Sequence, residues 1–215
     1  MGLLDWLFSK PDRPPEFDNV DLEPDNIWLS HQARLAGLTR HVSELFERES
    51  PPSAVLLVAH FPARLVDLEQ AVADAGVDGP VAAATVDQLE SLATGRLALN
   101  ASHRVEVVVG ERHPLATADD DLLEFLGKLP CYSRVQHHLS LDDAVLRIAT
   151  GPWLENMLRT MGMTEDEAIE TATMSDRIRR LQRRLEPKVS GDQAADSAEQ
   201  WLQRNCPEQY EKLSW

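Results

Sequence analysis

The sequence predicts an α/β fold. It should hold a doubly wound, mainly parallel sheet of about five strands with helices on both faces, followed by a helical C-terminal extension. Three observations carry this expectation. Ala54-Val55-Leu56-Leu57-Val58-Ala59 is a continuous apolar run, as a strand buried on both faces requires. Short apolar segments alternate with amphipathic helical ones from residue 54 to residue 141. From Asp142 onward the strand pattern stops and helical periodicity runs to the end.

The elements follow in order. Residues 1–10 are mostly apolar and aromatic, and Leu3, Leu4, Leu7 and Phe8 fall on one face of a short helix. That pattern suits weak contact with a membrane surface or docking on the domain itself. Residues 11–25 carry Pro11, Pro14, Pro15 and Pro24 among acidic residues and read as an extended linker. Ser30 is a good N-cap for a helix over 30–49, in which Leu35, Leu38, Val42 and Leu45 recur at spacings of three and four. The strand at 54–59 leads into a helix that Pro62 opens and Gly76 closes. A second short strand spans Val81–Ala84, a helix spans 86–94, and Leu97–Leu99 reads as a weak third strand. Val105–Val109 is the fourth. A helix at 117–128 leads to the last strand, Val135–Leu141. Helices are expected at 142–149, 152–161, 165–186 with a break near Ala172, and 192–204. The organisation is therefore an apolar segment and linker (1–25), an α/β domain (26–150) and a helical extension (151–215).

Composition narrows the function. The 215 residues carry a formal net charge of −15, which repels a polyphosphate backbone and argues against nucleic acid as a partner. No stretch has the ~18 consecutive apolar residues of a membrane span. The first residues lack a secretory signal pattern, so a cytoplasmic protein is expected, peripheral at the inner membrane face at most. Cys131 and Cys206 have no metal-ligand spacing and read as ordinary thiols.

A doubly wound sheet invites a search for nucleotide chemistry. A phosphate loop needs glycines so that backbone N–H groups can wrap the phosphates, and a lysine to reach them. The turn after the first strand, His60-Phe61-Pro62-Ala63-Arg64, has neither. Arg64, near a helix N-terminus, is its one candidate for an anion. His137 and His138 are adjacent in a strand and so point to opposite faces, which rules out joint ligation of one metal. Asp119-Asp120-Asp121 and Asp142-Asp143 sit near helix starts, where negative charge is favourable. Ser140 has no partner base and no Gly-rich elbow. No catalytic residue, metal site or cofactor is expected.

One stretch is more specific. Glu111-Arg112-His113 is followed by Leu139-Ser140-Leu141-Asp142-Asp143, Arg147-Ile148, Gly162-Met163, Glu165-Asp166-Glu167 and Ile169-Glu170, with Ile178, Gln182 and Glu186 beyond. This series resembles the SecA family of protein-translocation ATPases, where the same elements close the second nucleotide-binding domain and enter the long scaffold helix. The resemblance implies a RecA-like sheet, the domain architecture that helicases share. It also implies a link to translocation, with the motor, its channel or an unfolded client as protein partner. Where this sequence departs from the family matters as much. Leu123 and Phe125 stand where the family has arginines that meet ATP, and only Lys128 keeps a positive charge. Arginine fingers stabilise charge on a transferred phosphoryl group, and neither an apolar side chain nor a lysine replaces that fork. The family's Gly-Arg-Gly loop has no counterpart in residues 85–104. On this reading Lys128 and Arg64 are vestiges of a nucleotide side. Leu123 and Phe125 either pack inside or form a reused contact surface. Arg177, Arg180 and Arg184 on the Arg-rich helix are candidates for docking an acidic partner or anionic lipid heads. The expected function is non-catalytic, a binding or regulatory role. The alternatives are an ATPase half-site completed in trans by a separate first domain, with Lys128 as residual cation, and a nucleotide sensor without hydrolysis.

Overall fold

The computed structural model describes residues 13–213 apart from Pro152 and Asp192. The apolar segment at 1–10, and with it the expected membrane contact, lies outside the described residues. The elements are β1 Val20–Leu22, β2 Asn26–Trp28, α1 His31–Glu47, β3 Ala54–Ala59, α2 Pro62–Ala75, β4 Val81–Thr85, β5 Arg104–Val109, α3 Ala116–Lys128, β6 Tyr132–Ser140, α4 Ala144–Thr150, α5 Trp153–Thr160, β7 Ala168–Glu170, α6 Ala172–Leu185, α7 Ala198–Asn205 and α8 Pro207–Leu213.

The sheet has the order β4-β3-β5-β6-β2-β7, with β1 also on β6. All pairs are parallel except β2 with β7. The α/β expectation holds, and the alternation of β3 shows why. Ala54, Leu56 and Val58 face one apolar cluster with Leu122, Leu123 and Leu126 of α3. Val55, Leu57 and Ala59 face the other, with Leu38, Val42 and Leu45 of α1 and Leu68 and Ala71 of α2. A strand covered by helices on both sides has no polar face, hence the unbroken apolar run. The predicted punctuation is also present: Ser30 accepts from the Ala33 N–H at 3.1 Å, and Gly76 ends α2 at φ 59°.

Four expectations are corrected. The sheet has seven strands among the described residues, not five. Residues 11–25 are not only a linker, because Val20–Leu22 pairs in parallel with Ser133–Val135. Then Pro24, with no N–H for a ladder, interrupts the edge before β2 resumes opposite His138–Ser140. Leu97–Leu99 is not a strand. Residues 86–96 wind through a helical passage that widens at its end, and Leu97 and Leu99 tuck against the α3 side of the sheet. The helix expected from 165 begins at Ala172, after Ala168–Glu170 has added β7 to the sheet edge.

The C-terminal helices share a core with the sheet. Ile178 and Leu185 of α6, and Trp201 and Leu202 of α7, cluster with Ile27, Phe61 and Leu139. Among the described residues no helix is long and apolar enough to cross a membrane.

Candidate functional site at the carboxyl edge of the sheet

From β3 the chain steps to β4 on one side and then to β5 on the other. Such a reversal opens a crevice at the carboxyl ends of the two strands, where doubly wound proteins bind their ligands. The residues that emerge there are His60-Phe61 after β3 and Gly110-Glu111-Arg112-His113 after β5. Gly110 permits the close approach of α2: a Cβ there would lie 2.9 Å from Leu68 and 3.1 Å from Arg64.

Two charge networks occupy this edge. In the first, Arg112 donates to both oxygens of Asp25, at 2.6 and 3.3 Å, and to Asp119 at 3.1 Å. Gln182 of α6 donates to Asp119 and to the His113 carbonyl, each at 2.7 Å. The His60 ring nitrogen lies 2.9 Å from Asp119. Asp25 and Asp119 are both buried. One guanidinium cannot neutralise two buried carboxylates. Burial would raise Asp119, but Arg112 and His60 outweigh it and hold that carboxyl well below the usual range. Burial wins at Asp25, whose pKa is raised despite the pull of Arg112.

In the second network, Asp143 at the end of β6 is clasped by Arg34 at 2.6 Å and Arg64 at 3.0 Å. It also accepts from the Ser140 N–H at 2.9 Å. Arg64 binds Asp67 at 2.6 Å as well. Between the networks, Glu111 accepts from the Phe61 N–H at 3.1 Å, and burial pushes its pKa up to about 7 against the pull of Arg64 and His60.

The crevice is filled by the chain itself. The His113 ring stacks on Phe61 at 5.2 Å and meets the edge of Trp201 from α7, also at 5.2 Å. The start of α2, where a phosphate loop would present free N–H groups, instead has Ala63 donating to the Asp196 carbonyl at 2.9 Å. Beside it remains a cavity of about 120 Å³, lined by Arg64, Glu111, Asp143 and Ser197 among others. Small-molecule pockets commonly measure ~300–1,000 Å³.

The expected residues fall in different places. Arg64 is at the crevice but already pairs with three carboxylates, Asp67, Glu111 and Asp143. Lys128 ends α3, so the parallel topology carries it to the opposite, amino edge of the sheet; its side chain is 76% exposed and lies 4.0 Å from Glu124. The expectation that Arg64 and Lys128 mark one nucleotide side is therefore corrected: a 13-residue helix, ~20 Å long, separates the two edges. Leu123 is buried in the core and Phe125 is half-buried against the same cluster. Of the two readings kept for Leu123, inside or surface, the fold takes the first.

The signature residues mostly join elements. Leu139 and Ser140 are buried on β6, and Leu141 packs between two clusters. Arg147 pairs with Glu199 of α7 at 3.1 Å. Gly162 turns the chain at φ 89°, and Met163 packs on Leu154 and Leu158. Glu165 accepts from Ser30 at 2.7 Å, the Asp166 carbonyl accepts from Arg40 at 2.7 Å, and Glu167 accepts from the Thr164 N–H at 3.4 Å.

On the Arg-rich helix α6, Arg179 and Arg183 turn inward onto Asp120, at 2.8 and 2.9 Å, while Arg177, Arg180 and Arg184 are exposed. Sequence reasoning missed Asp25, Arg34, His60 and Gln182 as members of the site.

No family profile matches the chain. Among curated proteins, the protein translocase subunit SecA of Stenotrophomonas maltophilia is 33% identical over 89 residues, covering 41% of this chain and 10% of the relative. The SecA proteins of Xanthomonas campestris and Xanthomonas oryzae are 32% identical over 89 residues, with the same shares covered. The chain matches about a tenth of the length of these relatives. Set beside the α/β fold with its helical extension, this identifies a SecA-related region in the chain.

Proposed function

We propose that this protein acts by binding, as a non-catalytic SecA-like module linked to protein translocation. The observation that carries the reading is the filled crevice. His113, Phe61 and Trp201 pack where a nucleotide base or phosphate would enter, and the Asp196 carbonyl holds the N–H group at the start of α2. Buried leucine at position 123 removes one finger position from the surface altogether. A nucleotide would have to expel the segment around Asp196 and α7 before reaching Arg64. The guanidinium and carboxylate groups at this edge pair with one another and so hold the fold together, while Arg64 Nε, both ring nitrogens of His137 and Ser140 Oγ make no hydrogen bond among the described residues. What is left for function is the exterior, and the family resemblance points to the translocation motor, its channel or a client as partner.

Two measurements test this. The purified protein with magnesium and ATP should show no turnover and no calorimetric heat at millimolar nucleotide. Magnesium-dependent turnover above that of a mock-purified control would overturn the non-catalytic reading. Affinity capture from native cytosol, with and without membranes, should recover motor or channel subunits identified by mass spectrometry. Their absence from both eluates would remove the link to translocation.

A further inference from the structure

We propose that the groove between α4 and α6 is a docking site for an acidic amphipathic helix of a protein partner. This deepens the binding role above and rests on it. The groove encloses about 490 Å³ and is lined by Ile148 and Ala149 from α4 and by Arg177, Arg180, Leu181 and Arg184 from α6. Its floor is apolar and its rim carries three guanidinium groups. Arg177, Arg180 and Arg184 are spaced by three and four, so they share one face of the helix.

Charge complementarity selects the occupant. In a chain of net charge −15, Arg34, Arg64, Arg112, Arg134, Arg147, Arg159, Arg179 and Arg183 all have carboxylate partners. The three rim arginines have none within 4 Å among the described residues. Arg177 donates to the Ala149 carbonyl at 2.5 Å and lies 5.7 Å from the centre of the Trp153 ring; Arg180 donates to the Asp176 carbonyl at 3.2 Å. Both contacts leave N–H donors pointing outward, and a guanidinium has five. A cationic rim left without carboxylates in an acidic protein calls for acidic side chains from outside.

The surface also says what shape that partner has. An apolar floor flanked by cations fits a helix with an apolar stripe between carboxylates, the helix-in-groove mode. The stripe has room to continue: Trp153, Met157 and Met161 on and just after α5 are exposed at intervals of four, with Trp153 lying under Arg177. A flat anionic membrane suits the site less well. It cannot enter a concave groove.

The probe is a synthetic, fluorescein-labelled 18-residue peptide with leucine at positions spaced by three and four and glutamate elsewhere, read by anisotropy against the full chain. A lysine-for-glutamate version and phosphatidylglycerol vesicles are the controls. We expect saturable binding of the glutamate peptide, weakened severalfold between about 50 and about 300 mM salt. The exposed-site variant R177E/R180E/R184E should weaken it about tenfold or more. Leu181→Ser, which leaves the rim charged but thins the floor, should weaken it severalfold; circular dichroism melts of both variants check the fold. Equal binding of the lysine peptide, no effect of the charge-reversal variant, or binding to vesicles but not to the peptide each overturns the proposal. If native translocation subunits are captured equally by the charge-reversal variant, the groove is wrong while the binding role stands. If the peptide binds but no such subunit is captured, the reverse holds.

Discussion

Replacing Arg112 with leucine tests whether the first charge network is a structural clasp. The guanidinium makes three hydrogen bonds, two to Asp25 and one to Asp119, and both carboxylates are out of contact with water. Removing one partner of a buried pair leaves an uncompensated charge, which costs about 3–5 kcal/mol. For a chain of this size each kcal/mol moves the melting midpoint by about 2–4 °C, so Arg112→Leu should melt about 6–20 °C lower. The penalty should also depend on pH. Without the cation the pull that offsets burial is lost, and Asp25, already raised above its ordinary 3.8, rises further, so the folded variant binds protons more readily than its unfolded chain. Its deficit against the parent is therefore full at neutral pH and shrinks as pH falls toward 4. Adding Asp25→Asn should return part of the loss. Urea unfolding followed by circular dichroism at pH 7 and pH 5 reads all three quantities. A deficit under about 1 kcal/mol, equal at both pH values, would refute the claim that these charges are buried against one another.

Three further outcomes follow from the packing. Gly37→Ala would set a Cβ 2.1 Å from the buried Trp28 ring, so it should cost about 1–3 kcal/mol and shift tryptophan fluorescence as the ring moves. Leu123→Arg puts an unpaired charge into the core and should destabilise by about 3 kcal/mol or more without producing ATP turnover, checked by urea midpoint and phosphate release. His113 is held neutral chiefly by burial, then by His60, with its pKa lowered from 6.5 to about 3. The unfolded chain therefore binds its proton first as the solution is acidified, and stability falls from pH 6.5 downward by up to ~1.4 kcal/mol per unit. His113→Phe keeps a ring against Phe61 and should flatten that slope in urea midpoints taken from pH 7 to pH 4.

What the sequence made legible is what repeats. The two-sided burial of β3, the three–four spacing of α1 and the glycine stop after α2 each follow from a period or a cap that only one backbone geometry satisfies. The three-residue strands β1, β2 and β7 carry no period: β1 and β2 form because β6 offers a free edge, and β7 adds to the edge that β2 then presents. Leu97–Leu99 had strand composition, yet Ala98 takes a left-handed turn at φ 45° and the leucines are used as plugs. The site was harder to read for the same reason. Glu111-Arg112-His113 stood out as a motif, but its partners Asp25, His60 and Gln182 lie 53 to 87 residues away and meet it only through the topology. Burial of an isolated aspartate leaves no pattern in the residues around it.

The two charge networks tie the carboxyl edge of the sheet to the helices around it. The Glu-Arg-His element faces carboxylates from the β1–β2 break and from α3, and Gln182 reaches the same carboxylate from α6. That single hydrogen-bonded cluster ties the sheet edge to α6. On α6, Ile178, Gln182 and Leu185 face inward, and Arg179 and Arg183 are drawn down onto Asp120. The remaining arginines are thereby fixed outward, beside α4, before any partner arrives. A surface pre-set in this way loses little entropy on binding. The side chains that anchor α6 to the sheet thus orient the groove, and this makes the outer face of α6 the place where a binding function is best sought.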